Sequence, residues 1–185
     1  MATRPLELSE YRQIMELMLT GFVKKSGNVF HPNRQIAFAL LLESNLGLRI
    51  GDVLNLRVNS FRSGKLELRE KKTDKLQYRD INPDVYNYVM DYIIDKGLSK
   101  TDKLFDITVR SVQRQLKIAV DYLELENIGT HSFRKMFATT VYEDNGRDIG
   151  LLKEVLNHAS IATTQRYIRI SQAAINQASS NIKFL

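Results

Sequence analysis

The chain has 185 residues, which fits one compact domain with at most a small appendage, and its 43% apolar content excludes wholesale disorder. Its 27 lysines and arginines outnumber 21 acids, giving a net charge of +6 and a pI near 9.5, which favours a polyanionic partner, nucleic acid ahead of an anionic membrane surface. Without cysteine there is no disulfide framework or thiolate metal site, and no apolar run of about 18 residues or leader h-region marks membrane insertion or export.

Taken in order, Ser9 is positioned to cap a first helix, with Tyr11, Ile14, Met15, Met18 and Leu19 at helical spacing and Gly21 plus the polar run Lys24–Asn28 ending it. Pro32 suits the first turn of a second helix, Asn33 to about Leu46, which Gly47 closes. The run Ile36–Leu42 is apolar almost all round, so this helix is central and buried. A short helix starts at Arg49. Lys65–Arg69 and Leu76–Ile81 alternate and flank Lys71–Lys75, a β-hairpin with a basic tip. Pro83 begins a helix that ends near Gly97, and Thr108 caps the next, through Val120. Further helices are expected over about 132–145, 148–157 and 161–169, with one more over the tail 171–182. The sum is mainly α with a small antiparallel β-sheet, an α+β fold without βαβ alternation.

Several residues carry candidate chemistry. His131 and Arg134 lie three apart at a helix start, where one face presents both, and they pair a proton carrier with a planar phosphate-binding cation. Arg49 follows Gly47-Leu48 at a helix start that itself favours an anion; Asp52, one turn on, reads as its orienting partner or as packing. Lys72 sits at the hairpin tip among Lys71 and Lys75, any of which can deliver an ammonium to a phosphate. His158 follows Leu156-Asn157 just past a helix, and Tyr167 comes nine residues later. Two of the three histidines thus fall inside motifs.

Gly47-Leu-Arg49, the hairpin Lys72-Thr73, His131-x-x-Arg134, Leu156-x-His158 and Tyr167 together resemble the tyrosine recombinase (phage integrase) family, in its order and at its approximate spacing, over roughly residues 7 to 170. The resemblance implies a mainly helical catalytic domain with a small three-stranded sheet. It implies catalytic residues Arg49, Lys72, His131, Arg134 and His158 around the nucleophile Tyr167. Lys72 is preferred because it begins Lys-Thr. Two departures are visible: Asn157 stands where relatives usually have Gly, and Lys135 where many have His. The implied function is site-specific DNA recombination through a 3′-phosphotyrosyl intermediate, without metal, ATP or other cofactor. In that scheme Lys72 is the general acid, His131 the acceptor of the phenol proton, and His158 a hydrogen-bond donor to phosphate.

The implied partner is double-stranded DNA, bound as a homotetramer on paired sites, with a monomer or weak oligomer in its absence and no membrane. Such a protein is cytoplasmic and nucleoid-associated. Residues 1–170 are then the catalytic domain and 171–185 a tail docking on a neighbouring protomer. The family's N-terminal DNA-clamping domain is expected to be missing from this chain. Lys24, Lys25, Arg57, Arg62, Lys71, Lys75, Arg110, Arg114, Lys117 and Arg169 are candidate phosphate contacts. Two competing readings are a non-catalytic DNA-binding module, disfavoured by the complete catalytic set, and a type IB topoisomerase or telomere resolvase, disfavoured by the short length.

Overall fold

The computed structural model describes residues 3–69, 76–165, 167, 168 and 180. Helix α1 spans Leu8–Thr20 and buries Ile14, Met15 and Met18. It starts earlier than Ser9 capping requires: Glu7 is the cap, and the Glu10 carboxylate reaches back to accept from its amide at 2.9 Å. Glu10 also pairs with Arg4, which fixes this first turn. Past Gly21 the polar run is the turn of a small hairpin, β1 (Phe22–Val23) against β2 (Val29–Phe30). Strands of two residues show no alternation to read in a sequence; the Phe22 ring stacked 4.8 Å from Phe30 and 4.3 Å from Tyr122 holds them in place.

Helix α2 spans Arg34–Leu46, with Asn33 accepting from the Ile36 amide at 3.1 Å. Asn33 is therefore the cap, and Pro32 precedes the helix rather than opening its first turn. Ile36, Ala37, Phe38, Ala39, Leu40, Leu42 and Leu46 are all buried, as an apolar helix at the centre of a core must be. Helix α3, Ile50–Val53, is a single turn. Then β3 (Phe61–Arg62), β4 (Lys65–Arg69) and β5 (Leu76–Asp80) form an antiparallel sheet in that order, with Phe61 opposite Leu66 and Leu66 opposite Arg79. Ser63 and Gly64 join β3 to β4 with φ of 51° and 75°, the left-handed pair that a tight hairpin turn uses. Residues 70–75, and with them Lys71, Lys72 and Lys75, lie outside the described residues.

Helices α4 (Pro83–Lys96) and α5 (Val109–Tyr122) start at Asn82 and Thr108 caps, and α4 ends at Gly97 as its sequence implies. Helix α6, Thr130–Asp144, packs on α2 more extensively than any other helix does. Helices α7 (Ile149–Val155) and α8 (Ile161–Gln165) are shorter than the sequence pattern suggests. The expected end of α8 and the expected tail helix fall in 169–179 and 181–185, outside the described residues. One large core gathers α1 to α6 and the three-stranded sheet; a smaller one of Ala138, Leu152 and Leu156 joins α6 to α7, with Phe137, Tyr167 and Ile168 against it. Among the described residues no helix is long and apolar enough to cross a membrane.

Candidate active site

The turn that delivers Arg49 depends on Gly47. It ends α2 with φ 58°, donates its amide to the Glu43 carbonyl, and approaches α6 so closely that a Cβ there would meet the Phe137 ring at 2.2 Å. Both the left-handed backbone and the ring contact select glycine. Leu48 is then buried and Arg49 caps α3, its Nη1 3.9 Å from Asp52 Oδ2. Asp52 is 4% exposed, so the orienting role read from the sequence has its geometry.

Arg134 projects inward from α6 and is fully buried. Its Nη2 donates to the Leu156 carbonyl at 3.0 Å and meets His158 Nε2 at 3.0 Å. The His158 position follows from how α7 ends. Asn157 takes φ 54°, its amide bonds the Glu154 carbonyl at 3.0 Å, and the His158 amide bonds the Lys153 carbonyl at 3.0 Å. This is a Schellman motif, whose left-handed position accepts Gly or Asn. The departure from Gly at position 157 therefore leaves the backbone device intact.

A guanidinium has only donors, so His158 Nε2 must accept, and the imidazole is the neutral form with its proton on Nδ1. That nitrogen lies 3.1 Å from Thr164 Oγ1, a fully buried hydroxyl on α8 that accepts from it. The Tyr167 ring packs 4.9 Å from the His158 ring, with Arg134 Cζ 5.7 Å and Lys135 Nζ 5.9 Å from its centroid. Lys135 also bonds the Thr3 carbonyl, which ties the N-terminal segment to the same place.

Direct contact thus joins Arg134, His158 and Tyr167. His131 begins α6 as expected but is exposed, beside the depression lined by Gln113, Lys117 and Gly129, whereas Arg134 one turn on is buried. The two share a turn and not an environment, because the opening of α6 buries Thr130, Ser132, Phe133 and Arg134 and leaves His131 facing outward. Lys72 lies outside the described residues.

Three residues at the site escape a motif-based reading. Glu43 is a fully buried acid in the apolar α2; burial pushes its pKa well above the ordinary carboxylate range, against the opposing pull of the Arg134 guanidinium and the Ile50 amide. Its visible signal is an acid directly after the apolar run Ile36–Leu42 of that helix. Thr164 and Arg79 carry no such signal, since each looks like an ordinary polar residue of its element.

Comparison with known proteins gives the family and the fold. The Phage integrase family matches residues 5–174. The "Probable integrase/recombinase YoeC" of Bacillus subtilis (strain 168) is 31% identical over 150 residues, covering 78% of this chain and 82% of YoeC. Among solved structures, the catalytic domain of bacteriophage HP1 integrase superposes with a TM-score of 0.67 at 19% identity, covering 97% of this chain and 95% of that one. A XerH site-specific recombinase bound to palindromic difH substrate, in a post-cleavage complex, gives 0.74 at 20% identity, with 96% of this chain matched to 52% of XerH. The chain spans 59% and 50% of the lengths of two further curated relatives. The structural likenesses establish a fold that is mainly α with small antiparallel sheets, that of tyrosine recombinase catalytic domains. Matched over nearly its whole length and holding a buried arginine, a histidine and a tyrosine in mutual contact, this chain belongs to the phage integrase family.

Proposed function

We propose that this chain cuts and rejoins DNA strands in site-specific recombination, through a 3′-phosphotyrosyl intermediate. The catalytic residues are Arg49, Lys72, His131, Arg134, His158 and Tyr167, and residues 1–170 form the catalytic unit. The observation that carries the reading is the contact of Arg134, His158 and Tyr167 within one buried corner.

A phenol with a pKa near 10 is a poor nucleophile at neutral pH and needs both a proton acceptor and cationic surroundings. Tyr167 Oη attacks the phosphorus, its proton passing to His131, and an O–P bond to Tyr167 forms as the P–O5′ bond breaks. Lys72 protonates the departing 5′ oxygen. Arg49 and Arg134 hold the non-bridging oxygens, where charge develops; a preorganised contact of this kind is worth about 3–4 kcal/mol, or roughly 10²–10³-fold in rate. A 5′-hydroxyl from the partner strand then attacks the phosphotyrosine, and Tyr167 leaves with a proton returned. Charge stabilisation comes from side chains and the bond energy stays in the ester, so the scheme asks for neither metal nor ATP.

Double-stranded DNA as the partner is supported by the basic balance of the chain and by the DNA complex of its XerH likeness. A tetramer on paired sites, with 171–185 docking on a neighbouring protomer, completes the proposal. Deleting 176–185 should abolish the tetramer while leaving binding of a single site; a tetramer that survives deletion would end the docking idea. Covalent trapping on a nicked duplex tests the chemistry. A protein–DNA adduct with release of a free 5′-hydroxyl supports it, and binding without any adduct favours a non-catalytic module.

A further inference from the structure

Arg79 lies on β5, the strand that resumes the chain directly after residues 70–75. Its guanidinium contacts three other elements among the described residues. Nη1 donates to the Val155 carbonyl at 3.1 Å, Nη2 donates to the Leu46 carbonyl, and the group stacks 5.6 Å from the centre of the Phe137 ring. Leu46 and Val155 are the last residues of α2 and α7. A helix C-terminus presents carbonyls without intrahelical partners and a partial negative charge, so one cation here satisfies two helix ends at once.

The two carbonyls are also well placed with respect to the chemistry. Leu46 precedes Arg49 by three residues, and Val155 precedes His158 by three. The next carbonyl after Val155, that of Leu156, is the one Arg134 holds. A planar fork with several donors and a stacking face can make all these contacts together; an ammonium on a flexible stem cannot.

From this arrangement we infer that Arg79 is a positioning residue, fastening the strand that follows the Lys72 segment to the turn bearing Arg49 and to the helix end bearing His158. It acts by fixing the relative placement of three segments that must meet one phosphate. Misplacement of reacting groups by about 1 Å costs on the order of 10²-fold in rate. The inference rests on the recombinase reading for its effect on rate, and on the structure alone for its effect on His158.

The test compares wild type with Arg79→Met and Arg79→Lys, using the full chain and a nicked duplex taken from DNA flanking its gene. Single-turnover adduct formation is expected to fall at least tenfold in Arg79→Met, with duplex affinity within twofold of wild type, and to recover only in part in Arg79→Lys. A rate within twofold of wild type, or a rate loss matched by lost affinity, would overturn the inference. A second readout needs no DNA: the imidazole resonances of His158 should shift in Arg79→Met, or in Arg79→Lys if the first variant does not fold, while those of His31 stay in place. An unmoved His158 signal would overturn the positioning role. An adduct absent from wild type would count against the recombinase reading instead, leaving the His158 signal to decide the role of Arg79.

Discussion

Arg134 Nη2 lies 3.0 Å from His158 Nε2, which makes the histidine an acceptor and keeps it neutral while the arginine faces it. To donate to a phosphate oxygen through that nitrogen, His158 must take up a proton as the Arg134 donors turn to the phosphate. Arg134→Lys cannot serve the Leu156 carbonyl, His158 and a phosphate together. Adduct formation should drop by roughly 10²–10³-fold, with DNA affinity changed only a few fold. A single-turnover time course measures it, and a rate within twofold of wild type contradicts the role.

Thr164 sets the other end of the same imidazole. Thr164→Val keeps the shape but removes the acceptor for the Nδ1 proton, leaving a buried donor at a cost of about 1–3 kcal/mol. Nitrogen-15 spectra of His158 should show a single Nδ1-protonated form in wild type and in Thr164→Ser, and a mixture in Thr164→Val. An unchanged tautomer in the valine variant would remove Thr164 from the account.

Glu43 gives a pH signature. Its folded-state pKa is raised by burial, so the folded chain holds the proton more tightly than the unfolded one. The stability this contributes is fully present below the ordinary carboxylate pKa of about 4.3 and is lost as pH rises through the folded value. Glu43→Gln has no such proton to lose. Its melting temperature relative to wild type should therefore climb as pH is raised from the ordinary carboxylate value towards the raised folded one. A difference that narrows over that range would mean that Glu43 is ionised and paired with Arg134.

Gly47 and Gly97 both close helices at positive φ, 58° and 61°, but only Gly47 has a ring against it. Gly97→Ala should cost the backbone term alone, roughly 1–2 kcal/mol. Gly47→Ala should cost clearly more, because the Phe137 ring has to move and the Arg49 turn with it. Denaturant unfolding of the two variants separates the terms; equal losses would show that the ring yields freely.

Most of this fold is legible where periodicity is long or a cap is chemically distinct. α2 reads out from its apolar run, and α4 from Pro83 and Gly97. The start of α1 does not, because a Glu10 carboxylate reaching back to the Glu7 amide competes with the more obvious Ser9, and no local pattern ranks the two; its end at Gly21 does. β1, β2 and β3 are two residues each, too short for an alternation. At the site, Arg49, Arg134, His158 and Tyr167 stand out by residue type and order. The contrast between exposed His131 and buried Arg134 does not, since it depends on how α6 is rotated against α2. Glu43, Arg79 and Thr164 act through long-range contacts that spacing along the chain never displays.

The most direct test of the central claim is covalent capture by Tyr167. Wild type and Tyr167→Phe are incubated with nicked duplexes from the flanking DNA, without metal or ATP, and SDS-resistant adducts are digested and mapped by mass spectrometry. The account requires an adduct in wild type, its phosphodiester on the peptide containing Tyr167, and none in Tyr167→Phe. An adduct that persists in Tyr167→Phe, or one mapped to another residue, would contradict it.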